Sequence, residues 1–387
     1  MKKVGLVSVR NHNYGSILQA FAFQKVLDYM EIENEIIYYE KKDILKQLVR
    51  IFNRPLLAAK TKDVYKKVYG KFINKSVGYI LTNRDNSFQD FIRNNLRFSK
   101  PYIGRKQLED GANNYKAFVL GSDQVWNPMN LGSDFYTLTF VPDDMIKITY
   151  ASSFGVSSIP KSQIDKTKYY LNRIQEISVR EDSGSKLIKT LIDRDVPVVV
   201  DPTLLFDSSQ WDSFIPNQKL IDEDYILCYF VGSNPEHRQI AKSLGKKTGS
   251  KVVLIPHVDE VVKADLDFSD ENYAKVGPSE FVNLIRHAKY VCTDSFHATI
   301  FSIHYKKKFF VFNRFSSNNK YSMNTRLGSL LGALGLSQRL TAGRDNILHW
   351  YDEEINYAEV YEKLIKMRQE SKNYLNNMAK LINRDSN

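Results

Sequence analysis

Thr293-Asp294-Ser295-Phe296-His297-Ala298-Thr299 follows the apolar run Tyr290-Val291-Cys292 and precedes Ile300-Phe301-Ser302-Ile303. This pattern predicts a buried strand, a short polar turn and the first turn of a helix. His297 then sits beside unpaired backbone N–H groups at the positive end of a helix dipole, a place suited to phosphates and carboxylates. A proton donor next to an anion cradle is what a phosphate-losing reaction needs.

Three other junctions carry chemistry. In Ser178-Val179-Arg180-Glu181-Asp182-Ser183-Gly184, Arg180 stands at a strand end, where a guanidinium can grip phosphate or carboxylate with two N–H groups; pairing with a nearby acid explains it equally well. Gly121-Ser122-Asp123-Gln124-Val125-Trp126-Asn127-Pro128 gathers a carboxylate, amides and an indole in one loop. That set suits a sugar, with Asp123 as a candidate base and Ser122, Gln124 and Trp126 as contacts; a capped turn over a core Trp126 is the alternative. Asn11-His12-Asn13-Tyr14-Gly15-Ser16-Ile17-Leu18-Gln19-Ala20 lies between the first strand and first helix, where Gly15 lets a ligand approach the backbone. Asn13, Tyr14 and Gln19 are candidate acceptor contacts; an Asn-rich turn ending in an N-cap is the other reading. The loop is not a GxGxxG fingerprint, which speaks against NAD. Of the remaining histidines, His237, His257, His287, His304 and His349 read as surface or structural, and His12 lies in the first loop.

The elements that must position these loops alternate strand and helix. Val4–Val9, Glu35–Tyr39, Ala117–Leu120, Ile148–Ala151, Ile177–Val179 and Val196–Val200 are predicted strands, and Ser16–Tyr29 a helix. Asp201-Pro202-Thr203 and the polar stretch up to Asp224 read as an interdomain connection. A second set comes next: strands at Tyr225–Val231, Lys251–Ile255, Tyr290–Cys292 and, last, Phe309–Phe312, with helices at Glu236–Leu244, Ser279–Ala288, Ala298–Tyr305 and Thr325–Leu334. The expectation is α/β: two Rossmann-like domains facing a cleft, with a C-terminal helix. The boundaries are 1–205 for the acceptor-side domain, with a basic helical insert at 41–80, then a linker at 206–223. The donor-side domain is 224–345 and the helical tail 346–387.

With 387 residues, 43% hydrophobic and 26% charged, the chain can bury two cores. A net charge of +11 favours an acidic partner. Much of it lies in Lys41 to Lys75, with eleven lysines and arginines against two acids. Ile44, Leu45, Leu48, Val49 and Phe52 give that insert one apolar helical face, suited to an anionic membrane surface or to packing on the sheet. It lacks the aromatic and glycine context of nucleic-acid modules, so no nucleic-acid partner is expected. Cys228 and Cys292 read as core residues of a reducing compartment, and no Cys/His set has metal-ligand spacing. No run approaches the ~20 apolar residues of a membrane span. A cytoplasmic protein is expected, with the insert offering peripheral contact at the inner face of the membrane.

Taken in order, these motifs resemble the polysaccharide pyruvyl transferase family. The resemblance rests on Asn13-Tyr14-Gly15 with Leu18-Gln19-Ala20, Gly121 to Asn127, Ser153-Phe154-Gly155, Ser178 to Glu181, Asp201-Pro202-Thr203 and Asp294 to Thr299. It implies a GT-B-like architecture and transfer of a pyruvyl group from phosphoenolpyruvate to two sugar hydroxyls. The product would be a cyclic ketal on a bacterial capsule or exopolysaccharide or its lipid-linked precursor. Phosphoenolpyruvate is then the co-substrate, with no cofactor and no metal. His297 and Arg180 match the family's donor-side positions, His297 as acid or as anion anchor. Where some members carry an arginine, Ser295 stands here, so Lys307, Arg314, Lys320 and Arg326 are candidates for a second anion contact. Two other readings remain open: a GT-B glycosyltransferase using a nucleotide sugar, and a non-catalytic glycan- or lipid-binding protein.

Overall fold

The computed structural model describes residues 2–9, 13–41, 75–129, 134–256, 262–265, 268–273, 275–314, 325–341 and 344–384. His12, Lys320 and most of the basic insert (42–74) lie outside them. Among the described residues, no helix is long and apolar enough to cross a membrane.

Both main sheets are parallel. The first has the order β2-β1-β5-β6, from β1 (Lys3–Val7), β2 (Asn34–Ile36), β5 (Tyr115–Leu120) and β6 (Ile146–Thr149). A short pair, β3 (Tyr39–Glu40) with β4 (Tyr102–Ile103), stands apart. The second sheet has the order β12-β11-β10-β7-β8-β9, from β7 (Tyr225–Tyr229), β8 (Lys251–Leu254), β9 (Glu271–Asn272), β10 (Tyr290–Thr293), β11 (Lys308–Phe312) and β12 (Leu340–Thr341). The expected last strand at Phe309–Phe312 is thus followed by another, because Val311 pairs with Leu340. Expected strands at Ile177–Val179 and Val196–Val200 pair only through single bridges, Ser152 with Val179 and Val179 with Val198. Pro197 sits in that stretch without an N–H to extend the ladder.

Period-2 alternation sends successive strand residues to opposite faces. Leu6, Val119, Leu227, Val291 and Val311 all belong to one central core between the sheets. Val7, Phe118 and Leu120 face a second core, and Ile226, Cys228, Cys292 and Phe310 a third. Both sheets are therefore covered on both faces, which is why their strands read as continuous apolar runs.

The domains are pinned to each other. The Tyr14 ring stacks on Phe281 at 4.5 Å, and its hydroxyl donates to the Val276 carbonyl at 2.9 Å. Trp211 packs edge-on against Phe301. The last helix, Tyr357–Arg384, returns to the first domain, where Tyr374 donates to the Thr149 carbonyl and the Ser371 hydroxyl accepts from Val200 N.

Candidate functional site

In an open parallel sheet the ligand crevice lies at the carboxyl ends of the strands where the order reverses. The first sheet reverses between β1 and β5, the second between β7 and β10. The loops after β1, β5 and β10 are ones singled out in the sequence, whereas the loop after β7 was not, and the two crevices meet. Gly15, in the first turn of the Tyr14–Tyr29 helix, lies against His297 in the first turn of the Phe296–His304 helix; a Cβ on Gly15 would fall 2.5 Å from Cγ of His297.

Around this contact the buried charges gather. Arg180 lies over the Phe296 ring at 4.5 Å, and its Nη1 donates to Asp201 Oδ2 at 2.7 Å. Its Nη2 is 3.7 Å from Asp123. His297 Nε2 is 3.6 Å from Asp201 Oδ2. Arg326 reaches in from the Thr325–Ala333 helix, 5.6 Å from the Phe296 ring centre and 4.0 Å from Asp123. With its amide oxygen turned toward that guanidinium, Gln124 accepts from Nη2 at 2.6 Å and Nε at 3.0 Å.

Asp123 has a left-handed backbone (φ 86°) and ties the two loops of the first crevice together. Its Oδ2 accepts from Ser16 Oγ at 2.7 Å, and its Oδ1 from Gln124 N at 2.8 Å. Burial pushes its carboxyl up, but Arg180, His297, Arg326 and the Ser16 hydroxyl together hold it below the ordinary range. So placed, Asp123 is a weak base, and its geometry is that of a clamp. Burial of Arg326 is the main reason its pKa drops to about 9, with repulsion from Arg180 next.

Asp294 takes a different anion position. Its carboxylate accepts from Val231 N at 2.6 Å and Gly232 N at 2.8 Å, in the turn after β7, and Arg314 Nη2 donates to its carbonyl. Ser295 caps the Phe296–His304 helix by accepting from Ala298 N.

Of the other sequence candidates Ser122 lies at the site, and the rest make structural contacts. Lys307 lies beyond the far end of the Phe296–His304 helix, just before β11 begins, so it sits at the opposite edge of the sheet from His297. Tyr14 spends its ring and hydroxyl on the domain interface. Trp126 is buried against Phe154 and Tyr170, its indole N–H donating to the Tyr136 carbonyl. Gln19 is wholly buried and donates to Ser8 and the Ser16 carbonyl. Asn13 is the N-cap of the first helix, accepting from Gly15 N, and Ser122 donates to Asp201 at 3.0 Å. The capped-turn and core readings thus account for these side chains in the structure.

Asp201 is the residue that the sequence reading missed. Read as the start of a connection, it is 1% exposed and touches the site from below. Its clue was the Asp-Pro-Thr motif, which at sequence level is indistinguishable from a helix cap. It is also a cap: Oδ1 accepts from Thr203 N.

A family model described as polysaccharide pyruvyl transferase matches residues 13–317. No curated protein matches the chain. Among solved structures, the S. aureus MnaA–UDP co-structure is similar at 12% identity with a TM-score of 0.53, over 99% of this chain and 97% of that one. UDP-N-acetylglucosamine 2-epimerase from Rickettsia bellii is similar at 9% identity with a TM-score of 0.50, over 99% and 98%. At such identities the likeness shows the fold: two Rossmann-like domains arranged in the GT-B manner.

Proposed function

Because the chain belongs to the polysaccharide pyruvyl transferase family, we propose that it transfers a pyruvyl group from phosphoenolpyruvate to two hydroxyls of a sugar. Protonation of the donor at C3 makes C2 electrophilic. One sugar hydroxyl adds at C2, phosphate leaves with the C–O bond electrons, and the second hydroxyl closes the ketal while the hydroxyl protons pass to base. The donor carries a phosphate and a carboxylate, so the site needs several cationic or N–H donors held out of water.

One observation carries this reading. Nε and Nη2 of Arg180 and Nε2 of His297 are buried and have no hydrogen-bond acceptor among the described residues. Each such group costs about 1–3 kcal/mol unless something accepts from it. A compact anion between Arg180, Arg326 and His297 would satisfy all three. Beside Phe296, the enol face of the donor would have an aromatic neighbour.

The nucleotide-sugar reading asks for a diphosphate cradle at the first strand-to-helix turn of the second domain. In that turn the N–H groups of Val231 and Gly232 are spent on Asp294, Pro235 has none, and Glu236 N is taken by Asn234. This leaves fewer N–H donors there for a diphosphate, which weighs toward the pyruvyl donor.

Calorimetric titration with phosphoenolpyruvate, with UDP, GDP and CMP as comparators, tests the reading. Selective phosphoenolpyruvate binding, weakened at least tenfold in Arg180→Ala, is the expected result. Nucleotide binding with no response to phosphoenolpyruvate, in the presence of a sugar mixture as well as without it, would replace this reading with the glycosyltransferase one.

A further inference from the structure

We infer that Asp201 is a positioning residue that keeps the His297 proton on Nε2, so that His297 serves the donor as a fixed N–H and not as the acid that protonates it. The inference rests on the donor reading above.

The geometry of Asp201 leaves its carboxylate one role. Oδ1 accepts from Thr203 N at 3.0 Å and from Thr203 Oγ1 at 2.7 Å. Oδ2 accepts from Arg180 Nη1 at 2.7 Å and Ser122 Oγ at 3.0 Å. Burial would raise its pKa, but His297, Arg180 and Thr203 hold it far below the ordinary carboxylate range. It is an anion, and an anion only accepts. His297 turns Nε2 toward Oδ2 at 3.6 Å, and that nitrogen has no other partner among the described residues. The opposite nitrogen, Nδ1, lies against Gly15. The other charges acting across this space include Asp123, Arg180, Arg326 and Glu181.

A second contact on the same helix repeats the arrangement. His304 is seven residues on, two turns along the same face. Its Nε2 is 2.8 Å from the Thr203 carbonyl, which accepts and cannot donate, so His304 also carries its proton on Nε2. The turn Asp201–Thr203 therefore docks one helix face at two points and orients both imidazoles.

The chemical consequence comes from where protons can go. If Nε2 gave its proton to C3, its lone pair would be left facing a buried carboxylate. Neutral imidazole with the proton on Nε2 avoids this, and so does imidazolium. In both states Nε2 keeps its proton, and because Oδ2 at 3.6 Å is beyond hydrogen-bond distance that N–H can still donate to a phosphate or carboxylate oxygen, which suits an anchor and opposes proton donation.

Nitrogen-15 NMR of the full chain, labelled in histidine, reads the tautomer directly. As neutral imidazoles, His297 and His304 are both expected as Nε2–H. In Asp201→Asn, whose amide turns its NH2 toward Nε2 when its oxygen serves Thr203 N, His297 should move toward Nδ1–H while His304 stays, an internal check on folding. Nδ1–H in the native protein, or an unchanged His297 tautomer in Asp201→Asn, would overturn the proposal. A second arm compares variants of His297 by phosphoenolpyruvate titration. His297→Gln keeps an N–H donor and should bind within about threefold of native; His297→Ala should lose at least tenfold. Equal losses in the two would overturn the anchor role. If the native protein does not bind phosphoenolpyruvate at all, the donor reading falls, and the tautomer result still decides the role of Asp201.

Discussion

Gly15 and His297 come from different domains, and the ring of one fills the space that a side chain on the other would need. A Cβ on Gly15 would fall 2.6 Å from Cε1 of His297 and closer still to Nδ1. The glycine opens the first helix, and the histidine lies in the first turn of the helix that faces it. The contact brings the two switch-point crevices to one place, and it fixes which nitrogen of His297 faces Arg180 and Asp201.

Gly15→Ala tests that contact. Near a helix start, alanine is ordinarily the better residue by up to about 1 kcal/mol. Here the added methyl must displace the imidazole, an overpacking that costs about 1–3 kcal/mol. The expected outcome is a lower melting temperature together with phosphoenolpyruvate affinity reduced at least tenfold. A variant as stable as native, with unchanged affinity, would show that the ring moves freely.

The Arg326 guanidinium, with its pKa lowered to about 9 by burial and by Arg180, makes donor binding sensitive to alkaline pH. The unfolded chain keeps that proton up to the ordinary arginine range. Between about 9 and that range the unfolded state therefore binds more protons, and the stability contribution from this residue rises with pH. Anion binding needs the charged form, so its sign is opposite. Phosphoenolpyruvate affinity should fall by up to about tenfold per pH unit above 9. Arg326→Gln should bind more weakly at pH 7.5 and lose this alkaline limb, as calorimetry from pH 7.5 to 10 would show.

His304 governs the acid side of stability. Burial, with Arg368 second, lowers its pKa to about 3, below the ordinary 6.5. From 6.5 down toward 3 the unfolded chain takes up a proton that the folded chain refuses. Folding should therefore lose up to about 1.4 kcal/mol per pH unit from this group as pH falls through that window. Denaturant unfolding at pH 7, 6, 5 and 4 would measure the slope. His304→Gln, which can still donate to the Thr203 carbonyl, should flatten it.

Tyr14 separates the structural role from the ligand role. Its hydroxyl is bonded to the Val276 carbonyl, and its ring is stacked on Phe281. Tyr14→Phe keeps the stack and removes the bond, leaving a buried carbonyl short of a donor. Stability should fall by about 1–3 kcal/mol, and phosphoenolpyruvate affinity should be unchanged. A selective loss of affinity at full stability would return Tyr14 to the ligand site.

Much of this molecule was legible from local pattern. Apolar runs of three to seven residues marked the strands of both sheets except the two-residue edge strands β9 and β12, and the polar junction after each run marked its carboxyl edge. Asp294 to Thr299 was recognisable as a strand, a cap and a helix start, because those signals act between residues a few positions apart. Arg180, Asp123 and His297 could be named for the same reason: each stands just after a parallel strand or bridged extended run, which delivers the next residues to the crevice edge. Which of the named side chains meet was decided by tertiary structure. Lys307 is ten residues from His297 and lies at the other edge, since a helix intervenes and runs back down the sheet. Arg326 is farther along the chain and reaches the site. Trp126 and Tyr14 have the chemistry of sugar contacts, yet their rings complete a core and an interface, where burying a large apolar surface outweighs leaving it at the cleft. Asp201 shows the limit most clearly. Its sequence neighbourhood specifies a helix cap, and the cap forms through one carboxylate oxygen; the other oxygen meets Arg180 within its own domain, and His297 only because two domains are packed against each other.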